Sequence, residues 1–179
     1  QEHAARAIRH LAAHHESQAV LVDAGTIPEL VQLTKTGSQK AQVIAAAGLS
    51  DLALGALLED EKRKSGQKHL PAAAAPVDGG NPEAGGKDAT PSRLVLISEA
   101  GGILPLVTML SSTNSVAREN AAGALMHLAN HPSNQVSIAK ANGISPLVTI
   151  LDDGTERAHR HAMSAILRLA RNNSENQTQ

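Results

Sequence analysis

The sequence predicts an all-α protein, an α-solenoid of about three and a half stacked three-helix repeats. Its composition is the first observation that indicates this fold: none of the 179 residues is Phe, Tyr or Trp, yet 41% are hydrophobic. Ala and Leu must therefore form the core, and they favour helices, whereas strands favour aromatic and β-branched residues. The other two observations are a short helical core and a longer apolar motif, each of which recurs along the chain.

The helical core is a six-residue sequence that ends in Leu-Ala. It occurs as AIRHLA, GLSDLA, ALMHLA and AILRLA, at residues 7–12, 48–53, 124–129 and 165–170. The starts of these cores are separated by 41, 76 and 41 residues. The longer apolar motif, at residues 20–33, 96–110 and 137–151, shows the spacings 76 and 41 again. Two independent motifs share one period, so the chain consists of repeats, and the longer interval holds an extra stretch of 35 residues.

Each repeat is expected to contain three helices. The first is short and ends at a glycine, which can adopt the left-handed backbone that terminates a helix. The second begins near a proline, whose missing N–H costs nothing in the first helical turn. The third is long, and its small apolar residues recur at helical spacing. The glycines are Gly25, Gly102 and Gly143, and the prolines are Pro28, Pro105 and Pro146.

A unit of this kind cannot bury its apolar faces alone, and stacking buries them in a quasi-one-dimensional array. The period, the three helices and the glycine between the first two resemble the armadillo repeat, of plant or protist type. The sequences ENAAGALMHLA (119–129) and EAGGILPLVTML (99–110) are similar to that family's usual wording. The resemblance covers residues 1–55 and 92–175 and implies a right-handed superhelix. The related HEAT repeat lacks the glycine-hinged first helix.

The predicted organisation follows from this register. The extra stretch lacks periodic apolar residues and is rich in Gly, Pro, Ala and charge, so burial could not offset the entropy of ordering it. We expect a window cut from a longer array. Its parts are a third helix of a truncated repeat (1–15), a repeat (16–55), a flexible insertion (56–91), two further repeats (92–131 and 132–173) and the start of another repeat or a tail (174–179).

The charge and the apolar runs exclude some kinds of partner. A net charge of −1 gives no overall field to attract nucleic acid or an anionic membrane. The apolar run at residues 41–58 contains Asp51 and is mostly Ala and Gly, so we interpret it as a buried helix rather than a membrane span. There is no cysteine, which fits a reducing compartment. We expect a monomeric fragment in the cytoplasm, with a nuclear location also open.

Two histidine pairs, His10/His14 and His127/His131, have the i, i+4 spacing that could supply half of a zinc site. The pairs lie too far apart in the stack to share one ion, and no cysteine could complete either site. No nucleophile–base pair stands out in the sequence. The carboxylates Asp152/Asp153 and Glu59/Asp60/Glu61 lie in predicted loops, with nothing to raise their pKa. We therefore expect no metal, no cofactor and no enzymatic activity within this fragment.

The resemblance implies that the third helices line a concave groove that holds an extended peptide. The chain is then a scaffold or adaptor for a protein or peptide segment, or alternatively the substrate-recognition region of a multidomain ubiquitin ligase of the U-box type. The Trp and Asn positions of the importin-alpha branch are not matched here, since His10, Asp51, His127 and Arg168 stand at the Asn positions. We also expect His10 and His127 to titrate near pH 6–7 and to make binding pH-dependent. The predicted groove residues are Glu2, Arg6, His10, Asp51, Glu119, Asn120, His127, Arg160 and Arg168.

Overall fold

The computed structural model describes residues 2–66 and 92–171, and within these ranges the ordered elements are all helices. The helices are α1 (Glu2–Ala12), α2 (His15–Asp23), α3 (Thr26–Thr36), α4 (Gln39–Gly66), α5 (Arg93–Glu99), α6 (Ile103–Met109), α7 (Ser115–Leu128), α8 (Pro132–Lys140), α9 (Ile144–Asp153) and α10 (Glu156–Ala170).

The helices form layers in the order that the sequence predicts. In α2 to α4, α5 to α7 and α8 to α10, two shorter helices precede a long third helix, and α5 and α6 are equally short. Helix α1 is the third helix of the layer before them. The third helices pack side by side in chain order, α1 on α4, α4 on α7 and α7 on α10. The predicted all-α solenoid is therefore confirmed.

Small residues on the third helices allow this close packing. Ala121, Ala122 and Ala124 of α7 are completely buried between α4 and α10. The recurring leucine of the helical core is buried as Leu52, Leu128 and Leu169. Its counterpart in α1, Leu11, is 45% exposed. The repeated environment thus holds for α4, α7 and α10 and not for α1, because within the described residues no layer precedes α1 to cover Leu11.

The turn between the first and second helices differs from the prediction. Gly25 has a left-handed backbone with φ of 74°, as expected, but in the next two layers Gly101 and Asn142 adopt positive φ, at 77° and 57°. The prediction for Gly102 and Gly143 is wrong in this respect, since both have negative φ.

These two glycines are required by close packing instead. A Cβ on Gly102 would lie 2.8 Å from the Ile97 carbonyl oxygen, and a Cβ on Gly143 would lie 2.8 Å from the Ile138 Cγ2 atom. A side chain at either position would therefore force the end of the preceding first helix to move.

The third helix of the second layer is longer than predicted. The sequence places the start of the flexible insertion at residue 56, but residues 56–66 are the last turns of α4, so the predicted boundary is wrong there. Ala56 is buried, and the carboxylate of Glu59 forms an ion pair with Arg93 at the start of α5. Leu, Glu and Lys favour helix, and the ion pair anchors the added turns. The rest of the predicted insertion, residues 67–91, lies outside the described residues.

Helix α4 is also the element that resembles a membrane span. Its residues Gln39–Lys62 are long and apolar enough to cross a bilayer by length and composition, and their most apolar 18-residue window has a mean hydropathy of 1.7. Its large side chains Leu49 and Leu52 are completely buried, and α1, α3 and α7 pack around the helix. Packing within the solenoid therefore accounts for the apolar composition of α4.

Candidate functional site

The predicted groove residues are distributed over all four third helices, which pack as a ladder. The ladder is defined here as the solvent-facing side of α1, α4, α7 and α10. Helix α1 carries Glu2, Arg6 and His10, α4 carries Asp51, α7 carries Glu119, Asn120 and His127, and α10 carries Arg160 and Arg168.

The predicted groove residues Glu2 and Glu119 connect their third helices to the next layer in the same way. The Ser38 hydroxyl, just before α4, donates to Glu2 Oε1 at 2.8 Å. The Thr155 hydroxyl, just before α10, donates to Glu119 Oε2 at 2.9 Å. Glu119 also forms an ion pair with Arg157 at 3.3 Å. These carboxylates are therefore already engaged with the next layer.

Polar side chains at the start of a third helix contact the backbone of the preceding one. The Asn120 side-chain amide donates to the Val43 carbonyl at 3.1 Å. In the next layer His161 occupies the equivalent position, and its Nδ1 atom lies 3.2 Å from the Glu119 carbonyl oxygen. His161 is not among the groove residues predicted from the sequence. The position of His161, one repeat after Asn120, is the signal that could have identified this residue.

His127 and Arg168 lie together near the C-terminal ends of α7 and α10. Burial, together with the charges of His161 and Arg168, lowers the pKa of His127 to about 4. His127 is therefore neutral at physiological pH, and the prediction that it titrates near pH 6–7 is wrong. Arg168 donates from Nε to the Asn130 side-chain oxygen at 3.1 Å and from Nη1 to the Ser164 carbonyl at 3.0 Å.

Asp51 lies half-buried on α4 and faces Arg9 of α1, with 3.9 Å between the guanidinium Nε and the carboxylate. Burial raises the pKa of Asp51, and the charge of Arg9 partly opposes this shift. An amide or cationic group of a partner would further stabilise the ionised form.

The other predicted residues are more loosely held. Arg6 is exposed on α1. The rings of His10 and His14 lie edge to face, with centroids 5.3 Å apart. Arg160 lies 4.0 Å from Glu156 on the same helix, and both side chains are exposed, so this pair adds little to stability. These exposed groups are free to reorient towards a partner.

A cavity of about 610 Å³ lies at one end of the ladder, where the added turns of α4 stand beside the ends of α7 and α10. Leu54 and Leu58 line it from α4, and His127, Asn130 and Arg168 line it from the other two helices. The structure thus brings His127 and Arg168 into one site, whereas Glu2, Arg6 and His10 of α1 do not line it. The cavity could not be predicted from the sequence, because the sequence predicts that residues 56–66 belong to a flexible insertion and not to a helix.

Within residues 2–66 and 92–171, no group of three or more His, Asp or Glu side chains could hold a metal ion. The site therefore consists of hydrogen-bonding groups, charges and apolar walls, which can bind a partner.

Comparison with known proteins supports the fold. Residues 90–129, which contain α5 to α7, match the armadillo/beta-catenin-like repeat. No curated protein sequence matches the chain.

Three similar solved structures are engineered or designed proteins. One, described as an engineered protein, is 26% identical, with a TM-score of 0.74, and the match covers 99% of this chain and 59% of that one. A second, a computationally designed armadillo repeat protein for modular peptide recognition, is 24% identical over 98% of this chain and 60% of that one, with a TM-score of 0.73. A third, a designed armadillo repeat protein in complex with the peptide (KR)4, is 22% identical over 98% of this chain and 77% of that one, with a TM-score of 0.52.

The chain spans about three fifths of the length of the first two structures. With one recognisable armadillo repeat and this set of structural neighbours, the described part of the chain has the α-solenoid fold of armadillo repeat proteins.

Proposed function

We propose that the chain is a protein-binding scaffold or adaptor that holds an extended segment of a partner along the ladder of third helices. The feature that carries this proposal is the repeat register, which puts polar residues, including Arg6, Asp51, His127 and Arg168, at equivalent positions or one turn apart on the four third helices. Two designed proteins of this fold support it, since one is described as made for peptide recognition and another was solved with a bound peptide.

The chemistry of the ladder favours a partner of mixed charge. Arg6 and Arg168 can pair with carboxylates, while Asp51 can accept from a cation or an amide. Glu119 and Asn120 are already bonded to the neighbouring layers, so they contribute mainly to the shape of the surface. Because the ladder has no aromatic anchor, we expect modest affinity.

A random-peptide display selection against the protein tests this proposal directly. Peptides that are enriched would be synthesised and titrated by fluorescence anisotropy against the parent chain and the charge-reversal variant Arg6→Glu/Arg168→Glu. We expect about tenfold weaker binding to this variant, since the two reversals replace attraction by repulsion.

The matched control is Lys140→Glu, which reverses an exposed charge on α8, away from the ladder. It should leave the affinity unchanged. The proposal fails if no peptide is enriched, or if the enriched peptides bind the ladder variant as tightly as the parent chain.

A further inference from the structure

Helix α4 extends beyond the point at which the third helices α7 and α10 end, and its added turns form a side wall next to the ladder. Helix α7 ends at Leu128 and α10 ends at Ala170, whereas α4 continues from the equivalent position at Ala53 to Gly66. The added turns therefore form a side wall beside the last turns of α7 and of α10. The cavity of about 610 Å³ lies between this wall and the two helix ends.

The wall presents aliphatic side chains to the cavity. Leu54 is 40% exposed and Leu58 is 47% exposed, and both line the cavity. They are four residues apart and therefore lie one above the other on the same side of the helix. Leu57 and Leu94 complete the apolar lining. Two large aliphatic side chains left partly exposed at a concave site favour an aliphatic ligand group.

The opposite wall is polar and carries one well-placed cation. Arg168 is fixed by its bonds to Asn130 and to the Ser164 carbonyl, so its guanidinium meets the cavity in a defined position. Beside it, the imidazole of His127 forms no hydrogen bond to any described residue, and because it is neutral it can donate one and accept one. A carboxylate is the group that a fixed guanidinium binds best.

The acidic residues of the wall disfavour a second anionic contact. Asp60 and Glu61 line the cavity from α4. They repel a ligand carboxylate, so the Arg168 guanidinium is the part of the lining that attracts the acidic group of a ligand. The same two carboxylates disfavour a polyphosphate such as a nucleic acid backbone.

We propose that this cavity is a specificity subsite that binds an aliphatic side chain of the partner segment together with an adjacent acidic residue. The aliphatic group packs on Leu54 and Leu58, and the carboxylate binds Arg168. This inference rests on the proposed function, and it adds a sequence preference that comes from the added turns of α4.

The experiment uses the peptides enriched by the display selection described above. We expect them to share Leu, Ile or Met next to Asp or Glu. In synthetic copies, replacing the aliphatic residue by Ser should weaken binding to the parent chain about tenfold. The same replacement should change binding to the Leu54→Ser/Leu58→Ser variant less than about twofold, because the partner of that side chain is already gone.

The matched control is Leu104→Ser, which changes an equally apolar residue that is 64% exposed on α6. This variant should keep the full tenfold preference. Circular dichroism of each variant confirms that the helices are retained, which is expected because the replaced leucines are partly exposed.

The outcomes separate this inference from the proposed function. Enriched peptides without the aliphatic–acidic pair, or a preference that survives in the Leu54→Ser/Leu58→Ser variant, would overturn the subsite while leaving the ladder as a binding surface. The absence of any enriched peptide would overturn the proposed function and the subsite together.

Discussion

The junctions that follow α7 and α4 occupy the same place in successive repeats, yet they have opposite structures. Helix α7 ends at Leu128, and after a short turn α8 begins at Pro132. Asn134 donates from its side chain to the Leu128 carbonyl at 3.2 Å and to the Leu94 carbonyl at 3.0 Å. Gln135 donates to the Ala129 carbonyl at 2.9 Å. The Gln135 amide thus satisfies a carbonyl that the end of α7 leaves unpaired. The Asn134 amide adds a second donor to the Leu128 carbonyl, which also accepts from the His131 N–H, and it ties α8 to α5.

After α4 the two amide positions are occupied by Arg93 and Leu94 instead. Leu94 cannot donate to the carbonyl of Ala53, and the helix continues through that point to Gly66. Arg93 is only 8% exposed, and its guanidinium binds the Glu59 carboxylate and, at 2.6 Å, the Gln18 side-chain oxygen.

Gln18 connects the junction after α4 with the C-terminal end of α1. It stands at the position of Gln135 and, like Gln135, donates to the terminal carbonyl of the preceding third helix, Ala12, at 2.6 Å. It also reaches the Asp51 carbonyl at 3.2 Å. The position that Asn134 and Arg93 share in the repeat therefore distinguishes a third helix that ends with a side-chain cap from one that continues and is held by a buried arginine.

The largest expected effect comes from removing that cation. Arg93→Ala leaves Gln18 and Glu59 without their shared partner, and Glu59 can regain only part of its hydration. We expect the free energy of unfolding to fall by about 3 kcal/mol, near the lower limit for breaking a buried pair. Urea denaturation measures the change, and hydrogen exchange should show faster opening of residues 56–66.

Arg157→Ala is the control, because that guanidinium is mostly exposed in its ion pair with Glu119. It should cost about 0.5 kcal/mol or less. Equal losses for the two arginines would mean that the Arg93 cluster does not hold the extension of α4.

A smaller effect is expected at the capped junction. Asn134→Ala removes the donor to two carbonyls in a buried position and should cost about 2 kcal/mol. Gln135→Ala removes one bond in a half-buried position and should cost about 1 kcal/mol. Thermal unfolding of both variants measures the order, and the exposed Gln32→Ala on α3 provides a baseline near zero. An Asn134→Ala variant as stable as Gln32→Ala would contradict the assigned capping role.

Two glycines of α4 test whether the close approach of Gln18 constrains this helix. Alanine normally stabilises a helix relative to glycine by about 1 kcal/mol. A Cβ on Gly55 would lie 1.7 Å from the Gln18 side-chain oxygen and would displace Gln18 from Arg93 and from the Ala12 carbonyl. We therefore expect Gly55→Ala to be destabilising by about 1 kcal/mol, since the lost hydrogen bonds exceed the gain in propensity.

Gly48→Ala is the matched case, because the nearest atom to its Cβ is 3.4 Å away, on Leu30. It should be neutral or stabilising. If denaturation shows the same sign for both glycines, the close approach of Gln18 to α4 is not a constraint.

At neutral pH the smallest effect is expected from His127, whose contribution to stability changes only as the pH falls. Its pKa is about 4 in the folded chain, against an ordinary value of 6.5, so the unfolded chain takes up the proton first as the pH falls. His127 therefore lowers the stability as the pH drops from about 6.5 towards 4. Unfolding curves at several pH values should show a shallower loss for His127→Gln than for the parent chain. A steeper loss in the variant would reverse the assigned shift.

The sequence by itself determined the repeat period, the three helices of each layer and the small-residue surface on the third helices. These features follow from local patterns, because apolar residues at helical spacing must face a neighbouring helix and Ala allows a close one. The residues of the ladder were also located from the repeat register. Their roles were not, since Glu119 and Asn120 prove to join adjacent layers.

Only the tertiary structure decided features that depend on residues far apart in the chain. The end of α4 depends on Arg93, which meets Glu59 across residues that the sequence assigns to an insertion. The neutral state of His127 depends on its burial and on the charges of His161 and Arg168, and a Cβ at position 102 would also lie 3.2 Å from the Val31 Cγ2 atom of the preceding layer. Repeat symmetry fixes what all layers share, whereas the differences between layers arise from particular side chains that meet only when the layers stack.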